Sequence, residues 1–157
     1  LGKGALGVWL AGMFWGDTIV RTTQFQFDWQ FAQVIAALAM MVGHNWSVFL
    51  RFRGGRGVAV FFGSWFAVSP PTALFGGEML LLIVAIYRYM SLGSLVGTVA
   101  IWVLLAFLTI FNEFPPIYLL YGLIAALLIY YQHRDNISRL LAGTERRIGE
   151  KAEQIRA

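Results

Sequence analysis

The chain has 157 residues, of which 59% are apolar and 13% are charged, and its formal net charge is +4. Soluble domains of this size carry about 45–50% apolar and about 25% charged residues, and they cannot bury much more apolar surface than that. The composition therefore excludes a soluble enzyme, a disordered chain and a coiled coil, and it predicts a protein embedded in lipid. Because the chain has no cysteine, disulfides, iron–sulfur clusters and thiolate zinc sites are excluded as well.

Six apolar runs predict an all-α polytopic transmembrane helix bundle. Their apolar residues are continuous, whereas the strands of a membrane barrel would alternate in polarity over about ten residues. Pro70 and Pro71 end the third run, and residues 112–116 turn the chain after the fifth. Gly93 and Gly97 form a GxxxG pattern in the fifth run, which permits close helix contact. The predicted runs cover residues 1–16, 31–50, 58–68, 72–86, 91–111 and 117–131.

The basic residues predict the orientation of this bundle. Threading six spans places eleven of the twelve Lys and Arg residues on one side, and Arg21, in the external loop 17–30, is the exception. By the positive-inside rule the basic side faces the cytoplasm, which explains the positive charge without a nucleic-acid partner. We therefore expect a transmembrane bundle over residues 1–132 and a cytoplasmic tail over residues 133–157.

The most distinctive segment, GHNWSVFLRFRGGRGVA, lies between the second and third runs on the basic side. Gly54, Gly55 and Gly57 allow the backbone to approach a ligand closely, and the next helix begins at about residue 58 with its positive dipole end at the same place. Arg56 adds fixed charge and paired donors. Together these features favour a phosphate site. A basic loop that only obeys the positive-inside rule is the alternative, and it is the better interpretation of the arginines alone.

A second polar segment, HRDNISRLLAGTE, opens the tail. If the sixth helix continues into the cytoplasm, His133, Asn136 and Leu140 share one face, while Gly143 ends that helix and Thr144 caps the next one. A solvated helix end explains the same spacing. Spacing alone therefore leaves open whether this histidine is structural or catalytic.

Two further features lie outside these segments. Ile148, Ala152 and Ile155 form a thin apolar stripe at helical spacing, which predicts a tail helix on the membrane surface or in solvent. Glu78 lies early in the fourth run. Because a carboxylate in lipid is costly, we expect Glu78 to face the bundle or an interface.

The two polar segments resemble the second and third signatures of the PlsY-type glycerol-3-phosphate acyltransferases, a family of bacterial integral membrane enzymes. The family patterns read approximately GHxxPVFLxFxGGKGVAT and HRxNIxRLxxGTE, and the stretch RYMSLGS resembles the turn between them. Residues 1–4 are similar to the end of the family's D-x-x-K-G stretch. The resemblance covers the whole chain, and its motifs are long and occur in the family's order.

The resemblance implies a reaction and a set of site residues. The family moves an acyl chain from acyl phosphate to the 1-hydroxyl of glycerol 3-phosphate, giving lysophosphatidic acid and phosphate, and the substrate phosphate is thought to take the hydroxyl proton. It implies no cofactor and no metal, and we expect a monomer in the bacterial inner membrane with its active face and C-terminus in the cytoplasm. By this resemblance, substrate phosphate is bound by Gly54, Gly55, Arg56, Gly57, Lys3 and His44, and the catalytic residues are His133, Asn136 and Glu145.

The sequence also departs from the family pattern. Arg56 stands where the family has Lys, Ser47 replaces Pro, and Val60 replaces Thr with loss of a hydroxyl. The family's first signature, approximately SGNxGATNxxR, would lie before Leu1, so we expect a preceding helix that completes seven spans. The alternatives are an inactive fragment of the enzyme and a transporter or scaffold that binds an anion or lipid. A transporter would place ionisable groups at the membrane midplane, where Glu78 is the one candidate.

Overall fold

The computed structural model describes residues 2–22, 29–48, 51, 54–111 and 113–150 of the chain. Within these ranges all regular structure is helical, as the continuous apolar runs predict. The helices are α1 (Gly2–Thr22), α2 (Trp29–Asn45), α3 (Val58–Val68), α4 (Pro70–Tyr87), α5 (Met90–Ile110), α6 (Pro116–Gln132) and α7 (Arg134–Leu141).

The predicted boundaries are correct for α3 and lie within two residues of those of α4, α5 and α6. α4 begins at Pro70 and not at Thr72, because a proline in the first turn has no intrahelical hydrogen bond to lose. The predicted external loop 17–30 is wrong in its first part, since α1 continues to Thr22. Residues 23–28 of that loop lie outside the described residues.

The predicted end of the second helix at residue 50 is also wrong. α2 ends at Asn45, and the N–H of Gly55 bonds to the carbonyl oxygen of His44 at 3.2 Å. This bond takes up a carbonyl group of the last turn and brings the following loop back over the helix end.

Among the described residues, the helices α4 and α5 are each long and apolar enough to cross a membrane. The pair formed by α6 and α7, bent by 63°, provides a third crossing if both belong to one span. α3 has 11 residues and measures about 16 Å, whereas the hydrocarbon core is about 30 Å thick. The described residues thus form an all-α membrane bundle, and the count of six spans stays a prediction.

The helices pack around aromatic and aliphatic side chains, among which Trp65 of α3 is central. Its ring centroid lies 5.3 Å from that of Tyr121 in α6. Inside this core the hydroxyls of Ser64 and Tyr121 are hydrogen-bonded, and Gln33 accepts a 2.6 Å hydrogen bond from Tyr118. These bonds satisfy polar groups at a depth where water is not available to do so.

α4 and α5 approach each other closely at glycine residues. A Cβ atom on Gly97 would lie 2.7 Å from the carbonyl oxygen of Gly76, and one on Gly93 would lie 2.5 Å from Cγ2 of Val84. These distances leave no room for a methyl group. The prediction that the GxxxG pattern permits close helix contact is therefore confirmed.

We expect Gly97→Ala to destabilise the bundle by about 1–3 kcal/mol, because the added methyl group must displace the backbone of Gly76. The measurement is the thermal unfolding midpoint of the purified protein in detergent. Gly77→Ala is the matched control, since a Cβ there would have no atom within 4 Å, and its midpoint should be unchanged or higher. Equal midpoints for the two variants would contradict the close contact.

Candidate active site

The glycine loop, defined as residues 54–57, connects α2 to α3 and lies directly on the last turn of α2. A Cβ on Gly54 would lie 2.0 Å from the carbonyl oxygen of His44, and one on Gly55 would lie 2.2 Å from Nε2 of the same residue. Gly57 has a φ of 81°, in the left-handed region. Glycine is therefore required at Gly54 by backbone contact and at Gly57 by conformation, whereas a side chain at Gly55 would have to displace the ring of His44.

The glycine loop leads into the N-terminus of α3. The N–H of Phe61 bonds to the carbonyl oxygen of Gly57 at 2.9 Å, so the N–H groups of residues 58–60 precede the first intrahelical bond. Gly57 is the N-cap residue and has no side chain with which to cap them. Arg56 is exposed beside this helix end. Unpaired N–H groups, a positive dipole end and a guanidinium are the components that the sequence predicts for a phosphate site.

A cavity of about 470 Å³ opens beside the glycine loop. It brings together residues from α1, α2, the loop and α3 that are distant in the sequence. Three of them are residues that the resemblance assigns to phosphate binding. The cavity is lined by Lys3, Met40, Gly43, His44, Ser47, Gly55 and Val60.

A second, apolar groove of about 550 Å³ starts at the same end of the molecule and runs between α3, α4 and α5. Val58 and Ala59, directly after the glycine loop, line its wall together with Met90 and Ser94 of α5. Glu78 is exposed in this groove and does not face the packed interior, so of the two expected positions, the bundle and an interface, the first is wrong and the second stays a prediction.

His133 occupies the corner between α6 and α7. The shared face of His133, Asn136 and Leu140 was expected only if the sixth helix continued, but the chain bends by 63° at this residue, whose imidazole Nδ1 bonds to the carbonyl oxygen of Ile129 at 2.8 Å. The bend leaves His133 1% exposed and Asn136 4% exposed. Since a carbonyl oxygen only accepts hydrogen bonds, Nδ1 carries the ring proton, and Nε2 is the acceptor of the neutral ring.

Glu145 joins three segments near this corner. Its Oε1 accepts hydrogen bonds from Oγ of Ser91 at 2.6 Å and from Nδ2 of Asn136 at 2.7 Å, and its Oε2 accepts one from Nε of Arg139 at 2.7 Å. Burial alone raises the pKa of this carboxyl, but the three hydrogen bonds and the charge of Arg139 outweigh it and hold the pKa below its usual range. Glu145 is therefore ionised and holds the amide of Asn136 in place.

Two of these partners, Ser91 and Arg139, were not among the predicted site residues. Both residues lie inside segments that the sequence analysis had singled out. Ser91 lies in RYMSLGS and Arg139 lies in HRDNISRLLAGTE. A carboxylate in the same motif as an arginine predicts a pairing, but only the fold brings Ser91 to it.

The tail after α7 folds back onto the turn between α4 and α5. Gly143, with a φ of 69°, follows the last turn of α7, which confirms the predicted helix end. The predicted helix capped by Thr144 is wrong for residues 144–150, which are not helical. Instead the guanidinium of Arg88 donates a 2.6 Å hydrogen bond to the carbonyl oxygen of Ile148, and the N–H of Ile148 donates a 2.7 Å bond to the carbonyl oxygen of Arg88.

This pairing replaces the bonds that a helix would need, so the apolar stripe that begins at Ile148 is not formed in the described part of the tail. Ala152 and Ile155, the rest of the predicted stripe, lie outside the described residues.

The electrostatics of His133 connect the tail to the glycine loop. Burial lowers the pKa of His133 most strongly, the hydrogen bond to Ile129 opposes that effect, and the charges of Arg56 and Glu145 act in opposite directions. The net shift is downward, so the ring is neutral at pH 7. One groove joins Val58 and Ala59, next to the glycine loop, to Met90 and Ser94, and Ser91 of the same turn bonds to Glu145, so the glycine loop and the tail lie at one end of the molecule.

In the described part of the chain, no group of three His, Asp or Glu side chains is placed to hold a metal ion. The arrangement instead offers cations, backbone N–H groups, an amide and a neutral imidazole. Such groups bind anions and orient a hydroxyl.

Comparison with known proteins places the chain in a family. The family model described as glycerol-3-phosphate acyltransferase matches residues 1–143. The chain belongs to this family. Glycerol-3-phosphate acyltransferase 3 of Dehalococcoides mccartyi (strain CBDB1) is 48% identical over 150 residues, which are 96% of this chain and 69% of that relative. A glycerol-3-phosphate acyltransferase from Thermus thermophilus is 46% identical over 127 residues, which are 80% of this chain and 60% of that relative.

Solved structures of the same family share the fold. The crystal structure of PlsY (YgiH), an integral membrane glycerol 3-phosphate acyltransferase, in its lysophosphatidic acid form has a TM-score of 0.76 and 36% identity, covering 94% of this chain and 67% of that one. The glycerol 3-phosphate form has a TM-score of 0.70 and 37% identity, covering 90% and 68%. The chain is thus a PlsY-type membrane protein, and it spans about two thirds of the length of these relatives.

We expect Glu145→Gln to weaken the tail, because the neutral amide cannot pair with Arg139 and cannot accept all three hydrogen bonds. The free energy of unfolding should fall by about 1–2 kcal/mol, measured by thermal or denaturant unfolding in detergent. Glu150→Gln is the matched control, since this exposed carboxylate accepts a hydrogen bond from the nearby N–H of Arg147 and its loss should leave stability unchanged. A loss for Glu150→Gln as large as that for Glu145→Gln would contradict the special role of Glu145.

We expect the ring of His133 to titrate below the ordinary histidine value of about 6.5. Its signals can be followed by NMR because the chain has two histidines, and His44→Gln identifies the other one. Arg56→Gln should raise the pKa of His133, since it removes a positive charge that disfavours protonation. Arg146→Gln, in the exposed tail, should leave the titration where it was. An unchanged titration in Arg56→Gln would refute the electrostatic coupling.

Proposed function

We propose that the protein transfers a fatty acyl group from acyl phosphate to the 1-hydroxyl of glycerol 3-phosphate, forming lysophosphatidic acid and phosphate. The observation that carries this proposal is the cavity beside the glycine loop where Lys3, His44 and Gly55 meet, at the end of the bundle where Glu145 bonds to Ser91 and Asn136. Family membership and the likeness to PlsY in its glycerol 3-phosphate form support glycerol 3-phosphate as the acceptor.

The two cavities suit the two substrates. Acyl phosphate combines an anionic head with a long apolar chain, and the apolar groove begins at Val58, next to the last residue of the glycine loop. The acyl chain can therefore enter the groove while its phosphate head stays outside the groove, at the same end of the bundle. Glycerol 3-phosphate is small and anionic, and the cavity that contains Lys3, His44 and Gly55 offers it a cation and polar groups.

The proposed reaction needs positioning and charge neutralisation more than a protein nucleophile. The 1-hydroxyl oxygen attacks the carbonyl carbon of acyl phosphate, an ester C–O bond forms, and the bond from that carbon to the phosphate oxygen breaks. The hydroxyl proton leaves with the phosphate. Acyl phosphate is a mixed anhydride with a good leaving group, so held substrates and cations that stabilise the departing charge supply the catalysis.

In this scheme His133, Asn136 and Glu145 organise the acceptor. The neutral imidazole of His133 offers Nε2 as a hydrogen-bond acceptor that orients the acceptor substrate, because Nδ1 is held by Ile129, while the proton of the attacking hydroxyl goes to the phosphate. Glu145 fixes Asn136 through its 2.7 Å hydrogen bond, which leaves the amide oxygen of Asn136 to accept from substrate. Gly54, Gly55, Arg56 and Gly57, with Lys3 and His44, bind phosphate.

We further propose that the polar end, the end of the bundle that carries the glycine loop and the tail, faces the cytoplasm of a bacterial inner membrane. Residues 1–132 form the bundle and residues 133–157 the cytoplasmic tail, and the protein is a monomer. The basic groups at this end, among them Lys3, Arg56 and Arg88, support that orientation by the positive-inside rule. A transporter is less well supported. In α3 to α6, Glu78 is the only Asp, Glu, Lys, Arg or His residue, and it lies in the apolar groove.

The test is to incubate membranes that contain the full-length protein with acyl phosphate and labelled glycerol 3-phosphate. We expect labelled lysophosphatidic acid and one phosphate per product, and no product when acyl-CoA replaces acyl phosphate. Failure to form lysophosphatidic acid from acyl phosphate would refute the proposed reaction.

Arg56→Ala tests the phosphate role in the same assay. The KM for glycerol 3-phosphate should rise by about tenfold or more, since a charged hydrogen-bond donor is lost, while the unfolding midpoint changes little at this exposed position. Arg146→Ala, also exposed and basic, is the control and should keep the KM. An unchanged KM in Arg56→Ala would remove Arg56 from the binding site.

A further inference from the structure

Asn45, the last residue of α2, is an unpaired polar side chain in the interior. It is 3% exposed, and among the described residues neither its Oδ1 nor its Nδ2 has a hydrogen-bond partner. Buried amides are nearly always bonded, because an unmet donor or acceptor carries its full desolvation cost. Gln33, a buried amide near the other end of the same helix, follows that rule through its 2.6 Å bond with Tyr118. Asn45 is therefore a buried donor and acceptor that lack a partner from the described part of the chain.

The amide of Asn45 lies against the glycine loop. A Cβ on Gly57 would lie 2.9 Å from Oδ1 and 3.2 Å from Nδ2 of Asn45, so the amide touches the N-cap of α3. The N–H groups of residues 58–60 follow directly and have no intrahelical partner. The preceding residue, His44, lines the cavity with Lys3 and Gly55. The unpaired amide of Asn45 thus lies directly beside the N-terminus of α3.

We propose that Asn45 binds the phosphate monoester held by the glycine loop. Its Nδ2 donates a hydrogen bond to a phosphate oxygen, and its Oδ1 accepts one from a hydroxyl of the same molecule. This inference rests on the proposed function and adds a specificity residue to it, because glycerol 3-phosphate carries both partners. The family pattern leaves the position of Asn45 unspecified, so the motif did not single it out.

Asn45→Leu separates binding from folding. Leucine has a similar shape and no polar atoms, so it removes an unmet buried donor and acceptor and should leave the ligand-free unfolding midpoint unchanged or higher. The KM for glycerol 3-phosphate should rise by about tenfold or more, since the hydrogen bonds to the ligand are lost. The KM for acyl phosphate should stay within about twofold, because that substrate has no polyol hydroxyl. The stabilisation of the protein by saturating glycerol 3-phosphate should also be lost.

Gln33→Leu is the matched control in α2. It removes a buried amide that is bonded inside the chain, so it should lower the ligand-free midpoint and keep the KM for glycerol 3-phosphate. The two variants are therefore expected to show opposite patterns. Asn45→Asp gives a second measurement, because its charge should repel phosphate and raise the KM further than leucine does.

The outcomes distinguish this inference from the proposed function. If the unsubstituted protein gains no stability from glycerol 3-phosphate or inorganic phosphate in phosphate-free buffer, the phosphate site itself fails. If it does gain stability and Asn45→Leu keeps that gain and the KM, the role of Asn45 is overturned, whatever the ligand-free midpoint. If Asn45→Leu does not fold, Asn45→Asp decides, and an unchanged KM in that variant overturns the inference.

Discussion

The polar end of this molecule depends on one hydrogen-bonded carboxylate. Glu145 accepts bonds from the N-terminus of α5 through Ser91 and from α7 through Asn136 and Arg139. A bundle embedded in lipid offers few polar side chains as hydrogen-bond partners. The polar groups of the segments that leave the membrane must therefore hydrogen-bond to one another. Without an ionised acceptor at this position, Asn136 would have no fixed orientation, and the tail would lose its polar anchor on Ser91 of α5.

The second constraint is the absence of side chains at the three glycines of the glycine loop. Because Gly54 and Gly55 lie in contact with the end of α2, the backbone of the loop comes close to His44, and Gly55, His44 and Lys3 line one cavity. The charge of Arg56 then reaches His133 and helps to keep its ring neutral. A cationic loop and an uncharged imidazole are complementary, since the first binds anions and the second can accept a hydrogen bond from a hydroxyl group.

Local sequence signals predicted much of this architecture. Apolar continuity and proline positions predicted α3 to α6 closely, and the GxxxG pattern predicted the contact of α5 with α4. Of the residues that the resemblance named, Lys3, His44 and Gly55 line one cavity, and Asn136 and Glu145 bond to each other. The failures concern contacts between residues that are distant in sequence and side chains that bond to the backbone.

The bend at His133 coincides with a hydrogen bond from its side chain to the backbone, and helical spacing carries no sign of it. The non-helical tail follows from Arg88, which lies sixty residues before its partner Ile148. The orphaned amide of Asn45 is recognisable only when its surroundings are known, because burial and the absence of partners are properties of the fold.

Arg88 links the tail to the membrane bundle in a way that has a thermodynamic consequence. Its φ of 62° lies in the left-handed region, which costs a residue with a side chain about 1–2 kcal/mol. The capping bond from the N–H of Arg88 to the carbonyl oxygen of Val84 offsets part of that cost, and the two bonds between Arg88 and Ile148 offset more of it while the tail is docked. The shape of the α4–α5 turn and the docking of the tail are therefore one equilibrium. A change that releases the tail also relaxes the turn that precedes Ser91. The bonds of Glu145 to Ser91 in α5 and to Asn136 in α7 then weaken together.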